Sequence, residues 1–150
     1  MSERLLVHGT AIAIDGGAVL LRGASGAGKS DLGLRLIDAG GRLIADDQSE
    51  LHRIGDTIAV RAPAAISGLI EVRGLGILRL DTATDVPLLL IADLVAPQAL
   101  ERLPERRSET ILGLSLPVLS VAPFEASAVA KLRLALQAIG GAGGVSFADR

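Results

Sequence analysis

Apolar positions follow two rhythms along this chain. Short apolar runs separated by turn residues fill most of it, and a spacing near the helical period surfaces in two places. Residues Thr10–Ile14 and 18–22 read as strands joined by Asp15-Gly16-Gly17, a hairpin signal because Asp and Gly tolerate positive φ. A Gly-rich loop over residues 23–28 leads into a predicted helix over 29–39. Its Leu32, Leu36 and Ile37 recur at helical spacing, and Gly40-Gly41 stops it. Arg42–Ala45 reads as a short strand ending in Asp46-Asp47, and residues 51–54 and 57–60 flank Gly55-Asp56 as a second hairpin. Residues 77–80 and 88–92 are expected to be buried strands, and 110–112 and 118–121 to be further strands. The strongest helical pattern covers 124–139, where Val129, Leu132, Leu136 and Ile139 line one face. Hairpins outnumber strand–helix–strand units, so an α/β fold with a mixed, largely antiparallel sheet is expected.

Length and composition narrow the class. The 150 residues suit one domain, and 49% hydrophobic residues supply a core. No internal repeat or interdomain linker is visible. Gly140-Gly141-Ala142-Gly143-Gly144 marks a helix stop, dividing a domain over residues 1–139 from an expected flexible tail over 140–150. The longest uncharged stretches, 110–124 and 134–148, carry Gly, Ser or Pro and fall short of the roughly 18 apolar residues a membrane span needs. No basic-then-apolar leader opens the chain and it has no Cys, so a cytoplasmic protein without disulfides or thiolate metal sites is expected. A net charge of −2 argues against nucleic acid as a partner. The only aromatic residues, Phe124 and Phe147, argue against a base-stacking platform for single strands.

The strongest chemical signal is Gly23-Ala24-Ser25-Gly26-Ala27-Gly28-Lys29-Ser30, which matches the phosphate-binding pattern G-x-x-x-x-G-K-[ST]. Glycines let successive backbone N–H groups turn inward around a phosphate, and the following helix adds its positive N-terminal end. Lys29, one of only two lysines, is expected to stand exposed and reach the terminal phosphates, with the Ser30 hydroxyl on Mg²⁺. Asp46 and Asp47 close the next strand at the end where such folds bind ligands. Strand alternation implies that the two carboxylates cannot both face one site.

Other acids and bases compete for roles. Glu71 and Arg73 beside Gly74 and Gly76 form either a surface ion pair or part of a Mg²⁺ shell, since Mg²⁺ takes one or two carboxylates with phosphate and water. Asp93 ends the apolar run 88–92 and is a rival metal acid of the ordinary kind. His8 is alone. The cluster 101–107, with Arg102, Arg106 and Arg107, is either a solvated face or a source of phosphoryl-stabilising charge.

Taken in order, His8-Gly9, the loop 23–30, Arg42-Leu43-Ile44-Ala45-Asp46-Asp47 and Glu71-Val72-Arg73-Gly74-Leu75-Gly76-Ile77 resemble the catalytic domain of the HPr kinase/phosphorylase family. The resemblance covers about residues 7–139 and implies a carboxykinase-like α/β domain. It implies that Gly23, Ala24, Ser25, Gly26, Ala27, Gly28, Lys29 and Ser30 bind ATP, and that Ser30 and Glu71 hold Mg²⁺. It makes Lys29 an active-site residue, Asp47 the proton acceptor from the substrate serine and His8 its neighbour in the active site. Arg102 resembles the family's active-site arginine, with Pro104 where a glycine is usual, and Arg106 or Arg107 could substitute. On this reading Asp93 belongs to the core strand and is not a metal ligand.

Two departures from the family bear on function. Only seven residues precede His8, where long members carry an N-terminal domain, so a short, catalytic-domain form is expected. Residues 117–125 contain no basic residue, where long members have a basic loop tied to dephosphorylation and partner contact. The implied activity is phosphorylation of a serine on HPr or an HPr-like phosphocarrier, with phosphorolysis as the reverse reaction, in a homo-oligomer, by resemblance a hexamer. The rival readings are a kinase of this fold with another protein or small-molecule substrate, and a non-catalytic ATP sensor.

Overall fold

The computed structural model describes residues 3–148. In chain order the strands are β1 (Arg4–His8), β2 (Thr10–Ile14), β3 (Gly17–Arg22), β4 (Arg42–Ala45), β5 (Gln48–Ile54) and β6 (Thr57–Arg61). They continue as β7 (Leu69–Val72), β8 (Gly76–Arg79), β9 (Val86–Leu94), β10 (Arg107–Ile111) and β11 (Leu114–Val121). The helices are α1 (Lys29–Asp38), after β3, and α2 (Ala128–Gly140), after β11.

The long strand β9 joins two sheets. Its first residues pair antiparallel with β6, which continues through β5 to β1 as a meander. The rest of β9 runs parallel to β3 on one side and β11 on the other, and β2, β4 and β10 extend that sheet antiparallel. The expected mixed, largely antiparallel sheet is found, and the only parallel strand pairs among the described residues flank β9.

Side-chain alternation sorts β3 and β9 between two cores. Val19, Leu21, Leu90 and Ala92 pack with Leu32 and Leu36 of α1 and Leu132 and Leu136 of α2. Leu20, Ile91, Ile44, Leu51, Ile58 and Val60 fill the space between the two sheets. The result is a meander, a central sheet and a helical layer. A fully buried Leu contributes about 2 kcal/mol, so β3 is held firmly from both faces. The loop after β3 therefore starts from a rigid base.

Three sequence expectations need correction. Residues 77–80 are not a buried strand: β8 pairs only with β7, and Ile77 is 71% exposed, because this two-stranded hairpin stands apart from the main sheet. The second helix begins at Ala128, not at 124. Residues 122–128 form two successive turns (Glu125 N–H to Ala122 C=O, 3.2 Å; Ala128 N–H to Glu125 C=O, 3.1 Å), and Arg35 of α1 donates to the Pro123 carbonyl. That carbonyl is thus taken by a side chain rather than by a helical turn. Strands β1 and β7 were not foreseen. The first is a mostly exposed edge strand whose Leu5 and Leu6 stay in solvent.

Candidate active site

The ends of β3, β4 and β7 converge on a cavity of about 550 Å³. Its lining includes Ser25, Gly26, Gly28, Lys29, Ser30, Asp46, Asp47, Glu71, Arg73 and Phe124. The glycine-rich loop turns back on itself, with Ala27 N–H donating to Ala24 C=O at 3.0 Å. Gly28, at φ 106°, is the N-cap of α1, a backbone conformation that a side chain would strain. The positive end of the helix therefore opens at the cavity.

Lys29 is only 6% exposed, which corrects the expectation of an exposed side chain. It folds beneath the loop, where Nζ donates to Gly23 C=O at 2.6 Å and Ala24 C=O at 3.0 Å. A buried ammonium requires such acceptors. It still lines the cavity, so the loop carbonyls hold the charge in place beside the space a phosphate would take.

The two aspartates overturn the alternation argument, because both line this cavity. Strand β4 ends at Ala45, and Asp47 has φ 67° with Gln48 N–H donating to Asp46 C=O at 2.7 Å. This is a three-residue γ-turn of the rare positive-φ hand. Such a conformation costs on the order of 1–3 kcal/mol for a non-glycine residue and persists only where surroundings hold it. Those surroundings are visible. Asp47 C=O accepts from Gly9 N–H at 2.8 Å, and Asp47 N–H donates to the buried Thr10 Oγ1 at 3.1 Å. A Cβ on Gly9 would lie 2.7 Å from Leu20 Cδ1 and 2.9 Å from the Leu21 carbonyl, so the close approach of this turn to β3 requires glycine.

Asp46 gathers donors from three elements. Ser30 Oγ donates to Oδ1 at 2.7 Å, Thr10 Oγ1 to the same oxygen at 3.2 Å, and the Glu71 N–H to Oδ2 at 3.3 Å. Asp47 lies on the outer side, 63% exposed, with Oδ1 2.7 Å from His8 Nε2. Sequence reasoning placed Ser30, Glu71, Asp47 and His8 together, and the structure brings them to one cavity or its rim. It missed Asp46 as the partner of Ser30, and Thr10 as the bracket behind both acids. The available signal was a hydroxyl opening an otherwise apolar strand directly after His8-Gly9.

The donor set suits Mg²⁺. A hydroxyl and carboxylates are hard oxygen ligands, and no group of three or more His, Cys, Asp and Glu among the described residues is placed to hold a metal unaided. Such a site relies on phosphate oxygens and water for the rest of the shell.

Other sequence candidates lie elsewhere. Asp93 is bound by Arg22 through Nε at 2.7 Å and Nη2 at 3.1 Å, while Glu109 takes Nη1 at 2.8 Å and Nη2 at 3.0 Å. These hydrogen bonds, Asp93's first, raise the guanidinium's proton affinity against the opposing effect of burial. Asp93 is thus a structural counter-ion. Arg102 is exposed in the segment before β10 and is not part of the cavity lining, and Arg106 stacks its guanidinium 3.4 Å from the centre of the Phe147 ring. Arg107 donates to Ser120 Oγ at 3.0 Å. The arginine that does line the cavity is Arg73, in the β7–β8 turn.

A mixed-sheet α/β domain with a glycine-rich loop feeding a helix, faced by an acid cluster, is the class defined by fold and site. The family model of the HPr serine kinase C-terminal domain matches residues 1–132, and the chain belongs to that family. It is 41% identical over 133 residues to an HPr kinase/phosphorylase of Acidovorax sp. (strain JS42), covering 80% of this chain and 41% of the relative. It is 47% identical over 83 residues to one of Aromatoleum aromaticum, covering 55% of this chain and 26% of that protein. The chain thus spans about two fifths of the length of the first of these relatives. The solved structure of the Hpr(Ser) kinase/phosphatase from Coxiella burnetii superposes with a TM-score of 0.75 at 26% identity, covering 91% of this chain and 94% of that one. No helix among the described residues is long and apolar enough to cross a membrane.

Proposed function

We propose that this chain is an ATP- and Mg²⁺-dependent kinase that phosphorylates a serine on HPr or an HPr-like phosphocarrier. The observation that carries the reading is the γ-turn at Asp47, which puts two carboxylates opposite the Lys29–Ser30 end of the glycine-rich loop. A non-catalytic sensor has no need of the outer one.

Each residue has a task that its position supports. Backbone N–H groups of residues 23–28 and the α1 N-terminus cradle the phosphates, and Lys29 adds a positive charge. Ser30 and Glu71 would hold Mg²⁺, and Asp46 orients the Ser30 hydroxyl by their 2.7 Å hydrogen bond. When bound there, the ion would supply charge neutralisation on the transferring phosphoryl group. Asp47, held by His8, accepts the serine hydroxyl proton. The serine oxygen bonds to the γ-phosphorus as the bond to the β–γ bridging oxygen breaks, and ADP leaves. Arg102 would reach this centre only by a movement of its segment or from a neighbouring subunit of a homo-oligomer. A cytoplasmic phosphotransferase-system protein is the setting this reading implies.

The reverse reaction, attack of inorganic phosphate on phosphoserine, needs a cation for the incoming phosphate. Residues 117–125 have none and Lys131 is paired with Glu125 at 3.0 Å, which leaves for that role only the cations of the kinase site itself, Lys29 and Arg73. Phosphorylation is therefore expected to outpace phosphorolysis. The experiment combines the purified chain, Mg·ATP and the phosphocarrier of its own organism, read by intact mass. One phosphoryl group on a carrier serine supports the proposal. ATP consumption that is indifferent to the carrier contradicts it. Pyrophosphate release from phosphoserine-carrier and inorganic phosphate, at a rate comparable to the kinase reaction, contradicts the directional claim.

A further inference from the structure

A second cavity, about 360 Å³, adjoins the first on the flank away from the acids. It lies between the tip of the glycine-rich loop at Gly26 and Ala27, the segment after β9 including Leu94 and Pro97, and the segment after β11 at Ala122 and Phe124. None of its lining residues has a polar side chain. Phe124 belongs to both cavities. Its ring is 71% exposed, a costly placement for one of only two aromatic residues in the chain. The ring nonetheless has close neighbours. It lies over Gly28, where an added Cβ would come within 2.8 Å of Phe124 Cζ, and Arg35 grips the preceding carbonyl of Pro123.

We infer that this groove receives the base of the nucleotide, with Phe124 as the ring it packs against. The inference rests on the phosphate-cradle reading above. If the reacting phosphate lies at the Ser30–Asp46–Asp47 side, the phosphate chain must run along the loop, and the nucleoside leaves at its other flank. The groove is what the fold presents there. It is continuous with the phosphate cavity through Phe124, and its apolar walls match a flat, weakly hydrated ring. The same walls set its selectivity. A site that hydrogen-bonds a group rejects analogues lacking it by large factors, whereas an apolar slot discriminates weakly. With no polar side chain to read base edges, ATP and GTP should bind within about tenfold of each other.

The test uses the full chain and three probes with Mg²⁺: ATP, GTP and inorganic tripolyphosphate, measured by calorimetry on the parent, Phe124→Ala and Phe124→Trp. Removing an aromatic stacking partner costs roughly five- to a hundredfold per base. Phe124→Ala should therefore weaken ATP and GTP by about tenfold or more and leave tripolyphosphate within about twofold. Phe124→Trp should retain nucleotide affinity. Because the chain has no Trp, the introduced indole is also a unique reporter, quenched by ATP and GTP but not by tripolyphosphate. Phe124 is exposed, so folding is not at stake, and unchanged thermal melting of both variants checks this. Tripolyphosphate binding in the parent with ATP unaffected by Phe124→Ala overturns the base site and leaves the cradle standing. Equal weakening of ATP and tripolyphosphate also overturns it, by placing Phe124 on the phosphates. Failure of all three probes to bind the parent overturns the cradle and the base site together.

Discussion

Two aspartates end apolar strands on either side of the glycine-rich loop, and the structure gives them opposite fates. Asp46 follows β4 and is held by hydroxyls and one amide N–H, with no cationic side chain among the described residues hydrogen-bonded to it. Asp93, in β9, stands in register with Arg22, whose guanidinium it shares with Glu109. What separates them is the neighbouring strand. A Thr lies behind the first, and an Arg beside the second. An acid at a strand end is a candidate for metal chemistry only when nothing cationic shares its register.

The largest effect that would sharpen this contrast is expected at the turn. Asp47→Asn should lower phosphoryl transfer by on the order of 10² or more while the thermal stabilisation by Mg·ATP persists. Retained turnover would show that the acid on this flank is not a base. Lys29→Ala should lose turnover and much of the ATP-induced stabilisation. Its melting without nucleotide should also fall by a few degrees, because removing the buried side chain leaves the Gly23 and Ala24 carbonyls without their donor. Asp93→Asn should act on stability instead. Breaking this partly exposed ion pair leaves Arg22 with one acid and should cost about 1–2 kcal/mol, a melting shift of a few degrees by calorimetry. Thr10→Val is the subtlest. It removes the bracket behind Asp46 and Asp47, so a few-fold loss in kcat with little change in KM for ATP is expected.

Much of this arrangement was legible beforehand. The loop 23–30 has a local signature, and the hairpin at Asp15-Gly16 announces itself, since both residues take positive φ (54° and 84°). Glu71 could be placed through the resemblance of its surrounding segment. What could not be read depends on non-local geometry. Alternation holds only while the strand lasts, and β4 ends before Asp46, so a rule sound for strands turned Asp46 away from a cavity that it shares with Asp47. The burial of Lys29 follows from how the loop curls, which no spacing encodes. Residues 77–80 have the apolar character of a core strand, yet they pair in a hairpin that the main sheet does not cover. Phe124 falls within the predicted helix, which in the structure starts four residues later, because the periodicity does not show Arg35 taking the Pro123 carbonyl.

The central claim is that the flank bearing Asp46, Asp47 and Glu71, and not the flank bearing Asp93, serves the metal. The direct measurement is the Mg²⁺ concentration for half-maximal phosphoryl transfer in the parent, Glu71→Gln, Asp46→Asn and Asp93→Asn, each below its melting temperature. The account predicts that Glu71→Gln and Asp46→Asn raise it by about tenfold or more, as losses of metal ligands and their orienting partners do, with Asp93→Asn within about twofold of the parent. The reverse order, with Asp93→Asn shifting the requirement and the other two leaving it in place, would contradict the account.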